Sequence, residues 1–516
     1  MSLARTYSVA LGGVTGYLIE VEADIANGLP ATILVGLPDT ALREARDRIR
    51  AAIVNSGENW PQAKITVGLS PAALPKRGSG FDLAIAVAIL AAGDAVPVTS
   101  PMGKMFLAEL GLDGRLRPVP GVLPAVAALV AAAPGVDTVV VAAQNVAEAA
   151  LVPGIQVIGA SSLAEVVMWL RGGPPPTLPA SPEPPQGPVP VVAMTKKLDL
   201  AEVLGQAEAR MAVEICAAGG HNLSLLGPPG AGKTMLAERL PTILPRLESA
   251  AALEVTSIHS VAGILAPEAG LVTVPPFCAP HHTASKSAIV GGGSGLIRPG
   301  AVSLAHRGVL FLDEAPEFHR DVLDALRQPL ESGEVVIARA AATATFPARF
   351  TLVLAANPCP CARLSSPGGA GCRCSPAARR RYLGRLSGPL MDRVDVKVTL
   401  QPVNRRDMLY DRKFAEASAV VAERVAAARQ RSKARLAGTA WRLNAEVPGA
   451  ALRRSFPPQA GALKSLDRAM ELGQASARGA DKIVRVAWSL ADLAAKDRPG
   501  PDEINLAIGL WLGVTQ

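Results

Sequence analysis

Eight residues constrain this chain more than any others: Gly227-Pro228-Pro229-Gly230-Ala231-Gly232-Lys233-Thr234. They fit G-x-x-x-x-G-K-[ST], a loop whose backbone N–H groups wrap phosphates. The apolar run from Asn222 to Leu226 ahead of the loop reads as a buried strand, and Met235 to Leu240 behind it as the start of a helix. Strand, Gly-rich loop and helix are the context the motif requires, because a helix N-terminus favours negative charge. In that geometry Lys233 reaches the β- and γ-phosphates of ATP, and Thr234 ligates Mg²⁺.

A second motif points from binding to hydrolysis. Gly308 to Leu312 is an apolar strand that ends in Asp313 and Glu314. The expectation is that this strand lies beside the loop's own strand, which brings Asp313 to the Mg²⁺ and leaves Glu314 to polarise water. A third apolar strand, Phe350 to Ala356, ends in Asn357-Pro358, an amide placed to orient water against the γ-phosphate.

The length of 516 residues implies two to four domains, and 49% hydrophobic against 19% charged residues supports ample cores. Aromatics at 3% argue against recognition of single strands by many stacked rings. A formal charge of +8 and a pI near 9.3 suit nucleic acid but are diluted over a long chain. No apolar run reaches about 20 residues, so no membrane span is expected. The first residues, Met1 to Thr6, lack the apolar core of a signal peptide. A cytoplasmic protein with reduced cysteines is expected.

Along the chain, residues 1–170 read as an α/β domain. Short strands run from Ser8 to Ile25, broken at Gly12-Gly13. A helix over Asp39 to Ser56 has Arg43, Arg46, Arg48 and Arg50 on its polar side. Lys64 to Leu69 reads as a strand and Phe81 to Ala92 as a buried helix. Residues 171–197 are a Pro-rich linker. Residues 198–402 hold the nucleotide motifs. Residues 403–516 are helical, over Asp407 to Leu436, Ala460 to Leu472, Ala480 to Ala495 and Asp502 to Leu512.

Cys359, Cys361, Cys372 and Cys374 crowd one short segment. Tight thiol pairs suggest a four-thiolate Zn²⁺ site stapling the loop with Gly368, Gly369 and Gly371; free or redox-sensitive thiols are the alternative. His281 and His282 have no spaced metal partners and read as satisfied core or interface histidines.

Several blocks together resemble the magnesium-chelatase-like AAA+ ATPases called the YifB or ComM family. They are Pro276 to Thr283, Val290 to Gly293, Arg298 to His306, Asn357 to Cys361, Ser387 to Arg393, and Leu74 to Asp82. The resemblance implies a multidomain α/β architecture: an N-terminal Lon-protease-type (S5-like) domain, a P-loop AAA+ α/β core and a C-terminal helical lid. It implies a homo-oligomeric ring, hexameric, acting on forked or branched DNA by helicase-type branch migration during natural transformation and homologous recombination. Arg393 occupies the family's arginine-finger position and Asn357 its sensor position. Arg478 matches the lid arginine, with Arg485 as competitor. Glu334 to Arg349 resembles the hairpin before the sensor strand, and Lys286 and Arg298 flank the loop that faces a ring pore. Ser79 stands outside the Gly-Pro-Ser-Ala-Gly turn of Lon-type proteases, so the N-terminal domain is read as non-proteolytic. The alternative function is a remodelling ATPase with a protein or metal-insertion client, as in magnesium chelatase.

Overall fold

The computed structural model describes residues 2–36, 39–72, 74, 76, 78–132, 135–177, 198–266, 270–293, 297–339, 342–362 and 372–513, with side chains at all of these except 2, 39–43 and 342. Most of the Pro-rich linker, the side chain of Arg43, and the glycines 368, 369 and 371 lie outside the described residues.

The N-terminal part is built on a seven-stranded sheet. Its order is Ala31–Val35, Lys64–Ser70, Thr15–Ala26, Ser2–Gly12, Lys104–Leu107, Thr138–Ala142, Gln156–Ala160. The short strands expected up to Ile25 are in fact two long ones, paired from Ser2↔Ile25 to Gly12↔Thr15. The glycines turn the chain instead of breaking a strand: Gly13 has φ +71°, a left-handed conformation open to glycine. Both faces of the sheet are covered. Val139 and Val141 face one core, and Val140 and Ala142 the other. Burial on both sides explains why residues 139–142 of strand Thr138–Ala142 read as an unbroken apolar run. Helix Asp82–Ala92 is buried along its whole length. Arg48, read from sequence as surface-facing, turns inward, its Nε donating to the buried Asp82 carboxylate at 2.6 Å. Burial raises the Asp82 pKa to about 6, against the opposing pull of Arg48.

The middle part is a parallel five-stranded sheet in the order Phe277–Cys278, Val309–Leu312, Thr351–Ala356, Leu223–Leu226, Val396–Thr399. This corrects the expected adjacency. The strand before Asp313 does not flank the strand before the Gly-rich loop; Thr351–Ala356 lies between them. Asn222 fixes that arrangement. Its Oδ1 accepts from Leu352 N at 2.8 Å and its Nδ2 donates to Arg393 O at 2.9 Å, so one amide tethers both neighbours of its strand. After helix Arg327–Ser332 a hairpin forms, Glu334–Arg339 against Ala342–Pro347.

The C-terminal helices are Arg405–Asp411, Ser418–Arg435, Gly449–Arg454, Lys464–Glu471, Ala477–Leu493 and Pro501–Leu512. The single helix expected from Asp407 to Leu436 is split. Asp411 Oδ2 accepts from Gly205 N at 2.6 Å, and Ser418 N donates to Asp199 Oδ1 at 3.0 Å. Both ends of the gap are thus tied to the segment leading into the five-stranded sheet, and the chain leaves the helical path between them. These helices share one core with the loop-bearing side of the sheet, through Val421, Val425, Ile483 and Val486 against Leu223, Leu225 and Leu236. The other side of the sheet has its own core around Leu310, Leu352 and Phe346, on which Leu11 and Val14 of the N-terminal hairpin pack.

Candidate nucleotide site

The loop follows strand Leu223–Leu226 and opens helix Lys233–Ile243. Gly230 and Gly232 have φ +75° and +90°, and a Cβ on either would meet nothing within 4 Å. Conformation demands glycine there, and the space in front is open to a ligand. Gly227 is different: a Cβ would lie 2.9 Å from Leu400 Cβ, so packing demands it. Gln206, which the sequence reading missed, braces the loop, its Nε2 donating to Ala231 O at 3.1 Å and Gln401 O at 2.8 Å.

Lys233 is buried. Its Nζ donates to Gly227 O at 2.6 Å, Pro228 O at 3.0 Å and Asn357 Oδ1 at 3.0 Å. All three acceptors are neutral. Burial lowers the Lys233 pKa, with Asp313 and Glu314 pulling it back up. A desolvated ammonium with carbonyl partners is poised for an anion. Thr234 Oγ1 donates to Asp313 Oδ2 at 2.9 Å, and Glu314 N donates to Asp313 Oδ1 at 2.9 Å. Thr234 and Asp313 therefore present two hard oxygen donors side by side, the set a Mg²⁺ bound with phosphates takes.

Glu314 has φ 49° and ψ 42°, a left-handed conformation rare for a residue with a side chain and concentrated at functional sites. Its Oε2 lies 3.3 Å from His282 Nδ1. This corrects the core half of the core-or-interface reading of the histidine pair. His281 is exposed and His282 half-buried, and His282 faces the Glu314 carboxylate instead of sitting in a core. The pair follows the edge strand Phe277–Cys278, and only the parallel sheet brings that edge round to Glu314.

Arg393 pairs with Glu331 and donates to Pro389 O, while its Nε is buried without a partner. Asp395, two residues further on, is held by Lys482 at 2.6 Å. Arg478 is exposed and, among the described residues, makes no ion pair. Its competitor Arg485 is occupied, Nε donating to Val447 O at 2.7 Å. Lys286 and Arg298 are both exposed; Arg298 lies in the small ribbon Gly291–Gly292 with Arg298–Pro299, and Lys286 opens the short helix Lys286–Val290 before it.

The four cysteines converge, with all sulfurs within 4.8 Å of one another. Cys359 Sγ lies 3.3 Å from Cys361 Sγ and 3.2 Å from Cys372 Sγ. A tetrahedral thiolate site has Zn–S bonds of about 2.3 Å and sulfurs about 3.8 Å apart, so the donor set fits Zn²⁺. The hydrogen bond between Cys372 and Cys359 lowers the Cys372 pKa to about 6, and burial raises Cys359 to about 12.

In the N-terminal part, buried Lys76 donates to Pro71 O at 2.5 Å and Leu74 O at 3.3 Å, and Ser79 donates to Glu109. The serine–lysine hydrogen bond of a nucleophilic dyad is not among these contacts.

Comparison with known proteins agrees with this geometry. Residues 199–408 match the family described as magnesium chelatase, subunit ChlI; residues 21–145 match subunit ChlI of Mg-chelatase; residues 415–510 match the ChlI C-terminal family. An uncharacterised protein of Mycobacterium tuberculosis is 51% identical over 513 residues, 98% of each chain. Competence protein ComM of Haemophilus influenzae is 41% identical over 99% of this chain and 97% of its own. YifB of Escherichia coli is 40% identical over 96% of this chain and 94% of its own. With all three blocks matched in order and such identity along nearly the whole length, the chain belongs to the magnesium-chelatase-like AAA+ family that includes ComM and YifB.

Proposed function

We propose that this chain is an ATP-hydrolysing ring motor that moves branched DNA. The observation that carries the reading is the convergence of Lys233, Thr234, Asp313, Glu314 and Asn357 at the ends of three parallel strands. The similarity to a competence protein supports DNA as the client.

Each residue has a role. The loop from Gly227 to Thr234 cradles the phosphates of ATP, and Lys233 exchanges its carbonyl partners for phosphate oxygens. Thr234 and Asp313 hold Mg²⁺, which when bound neutralises phosphate charge. Glu314 takes the proton of the attacking water, with Asn357 aligning that water. Arg393 leaves Glu331 and completes the site of the neighbouring subunit, so hydrolysis needs a ring, taken as a hexamer. Arg478 approaches the nucleotide of its own subunit from the C-terminal helices, acting as a lid. Residues 1–170 form a non-proteolytic Lon-like domain, 171–197 a linker, 198–402 the AAA+ core and 403–516 the lid. Zn²⁺ on the four cysteines is structural, and the protein works in the cytoplasm.

The test is ATP-dependent resolution of a labelled four-way junction by wild type against Lys233→Ala. Movement by wild type alone is expected. If wild type hydrolyses ATP but neither binds nor moves the junction, the second reading takes over: a remodelling ATPase with a protein or metal-insertion client. The chelatase family descriptions favour that one.

A further inference from the structure

The basic charge of this chain is concentrated. The 57 residues from Val335 to Met391 hold eight arginines and no aspartate or glutamate. Removing those eight from the chain's 52 basic residues leaves 44, equal to its 44 acidic ones, so this segment accounts for the whole formal charge of +8.

Within it, the densest part is helix Pro376–Leu383 and its approach. Arg373, Arg379, Arg380 and Arg381 are exposed and, among the described residues, make no ion pair. Several arginines elsewhere are engaged, Arg424 with Glu214 and Glu416, and Arg435 with Asp492. Three consecutive arginines on a helix fan over about 200° of its surface. That spread suits a polyanion lying across the helix better than a single phosphate group.

The same helix reaches the nucleotide site by two routes. Cys372 and Cys374 precede it, and their sulfurs gather with that of Cys359, two residues beyond Asn357. Tyr382, next to Arg381, points inward and is buried beside the Asn357 backbone N–H, which opposes the upward push that burial gives its hydroxyl. Asn357 Oδ1 in turn accepts from Lys233.

We propose that Arg373, Arg379, Arg380 and Arg381 form a contact surface for the phosphate backbone of nucleic acid, and that Tyr382 transmits its occupancy to Asn357. This rests on the DNA reading above and names the element that would sense DNA. Guanidinium groups pair with phosphate bidentately and read no sequence, as a moving motor needs. Tyr382 is a positioning residue, acting through Asn357.

The experiment uses the full chain, a labelled four-way junction of arbitrary sequence and poly-glutamate as a second polyanion. The variants are Arg379→Ala/Arg380→Ala/Arg381→Ala and Tyr382→Phe. The triple variant should keep basal ATPase within about twofold, lose DNA stimulation, and lower the slope of log affinity against log salt by about 2 to 3, near 0.9 per lost phosphate contact. Tyr382→Phe should keep DNA affinity and lose stimulation, which separates coupling from binding. If wild type binds no junction, the DNA reading itself fails. If wild type binds and the triple variant shows the same affinity and salt slope, DNA lies elsewhere and this inference is overturned. Tighter binding of poly-glutamate than of junction, lost in the triple variant, would make the partner an acidic protein and also overturn it. Unaltered stimulation in Tyr382→Phe would remove the coupling route.

Discussion

Lys233 Nζ lies 3.0 Å from Asn357 Oδ1, across the gap between two adjacent parallel strands. The loop lysine is therefore held at the tip of the one strand that separates it from Asp313. A ligand that draws Lys233 away must change the setting of Asn357, and any shift of Asn357 is felt at the lysine. The Gly-rich loop and the Asn357 amide are held as one unit because the sheet order interleaves them.

Removing the lysine should separate binding from chemistry. Lys233→Ala is expected to weaken ATP binding by more than about tenfold, since a buried point charge on phosphate is lost. Glu314→Gln should keep affinity and lower turnover by about 10²-fold or more, the usual contribution of a positioned general base. Equilibrium binding of a fluorescent ATP analogue and steady-state hydrolysis read the two effects. Near-normal turnover in Glu314→Gln would remove that residue from the mechanism.

Arg393 is tied to Glu331 within its own chain, with its Nε unpartnered. If it acts on a neighbour, Arg393→Ala should bind ATP normally and lose about 10³-fold or more in hydrolysis. Mixing it with Lys233→Ala subunits, which retain Arg393, should restore part of the activity. Co-assembled mixed rings that stay inactive would assign Arg393 a structural role with Glu331.

The cysteine cluster makes a compositional prediction. Four sulfurs within 4.8 Å should bind about one Zn²⁺ per chain. Metal analysis of protein purified under reducing, chelator-free conditions tests this, and Cys372→Ser should abolish the metal. Metal-free wild type would leave the segment as a thiol-bearing loop.

His221 sets a pH dependence of stability. It is fully buried, with Nε2 2.7 Å from Ser489 Oγ and Nδ1 4.0 Å from Asp395 Oδ2. Burial lowers its pKa to about 4, although Asp395 pulls the other way. The unfolded chain takes up this proton near pH 6.5 and the folded one only near 4. Stability from neutral His221 is thus present in full above about pH 6.5. It is lost as pH falls toward 4, by up to about 3 kcal/mol at roughly 1.4 kcal/mol per unit. Imidazole NMR shifts across pH 7.5 to 4.5 report the titration directly; protonation of His221 near pH 6.5 in the folded protein would contradict the assignment.

Much of the site is legible in the chain. The Gly-rich loop, Asp313-Glu314 and Asn357 announce themselves because each closes an apolar strand, and a strand tip is where side chains of fixed type must stand. The His282–Glu314 contact is not legible in this way, although the histidines stand out. Thirty-two positions separate the two residues, and nothing local says that an edge strand will turn its following loop toward the neighbouring tip. Glu331 escapes for the same reason: on helix Arg327–Ser332 it reads as one more solvated carboxylate, until the fold sets Arg393 against it.

The chain's local chemistry sets the local pieces: which segments are buried strands, where the Gly-rich loop turns, which carboxylates end a strand, and that four thiols crowd one loop. These follow from apolar periodicity, backbone freedom at glycine and donor chemistry, all short-range properties. The tertiary structure alone decided the order of strands, and so which pieces meet. Asn222 clamps its strand between Thr351–Ala356 and the chain leading into Val396–Thr399, which puts Asn357 between Lys233 and Asp313. The split of the expected long helix depends likewise on Asp411 and Ser418 reaching residues about 200 positions away. Such pairings arise from packing and hydrogen bonding across distant segments, which no window along the chain contains.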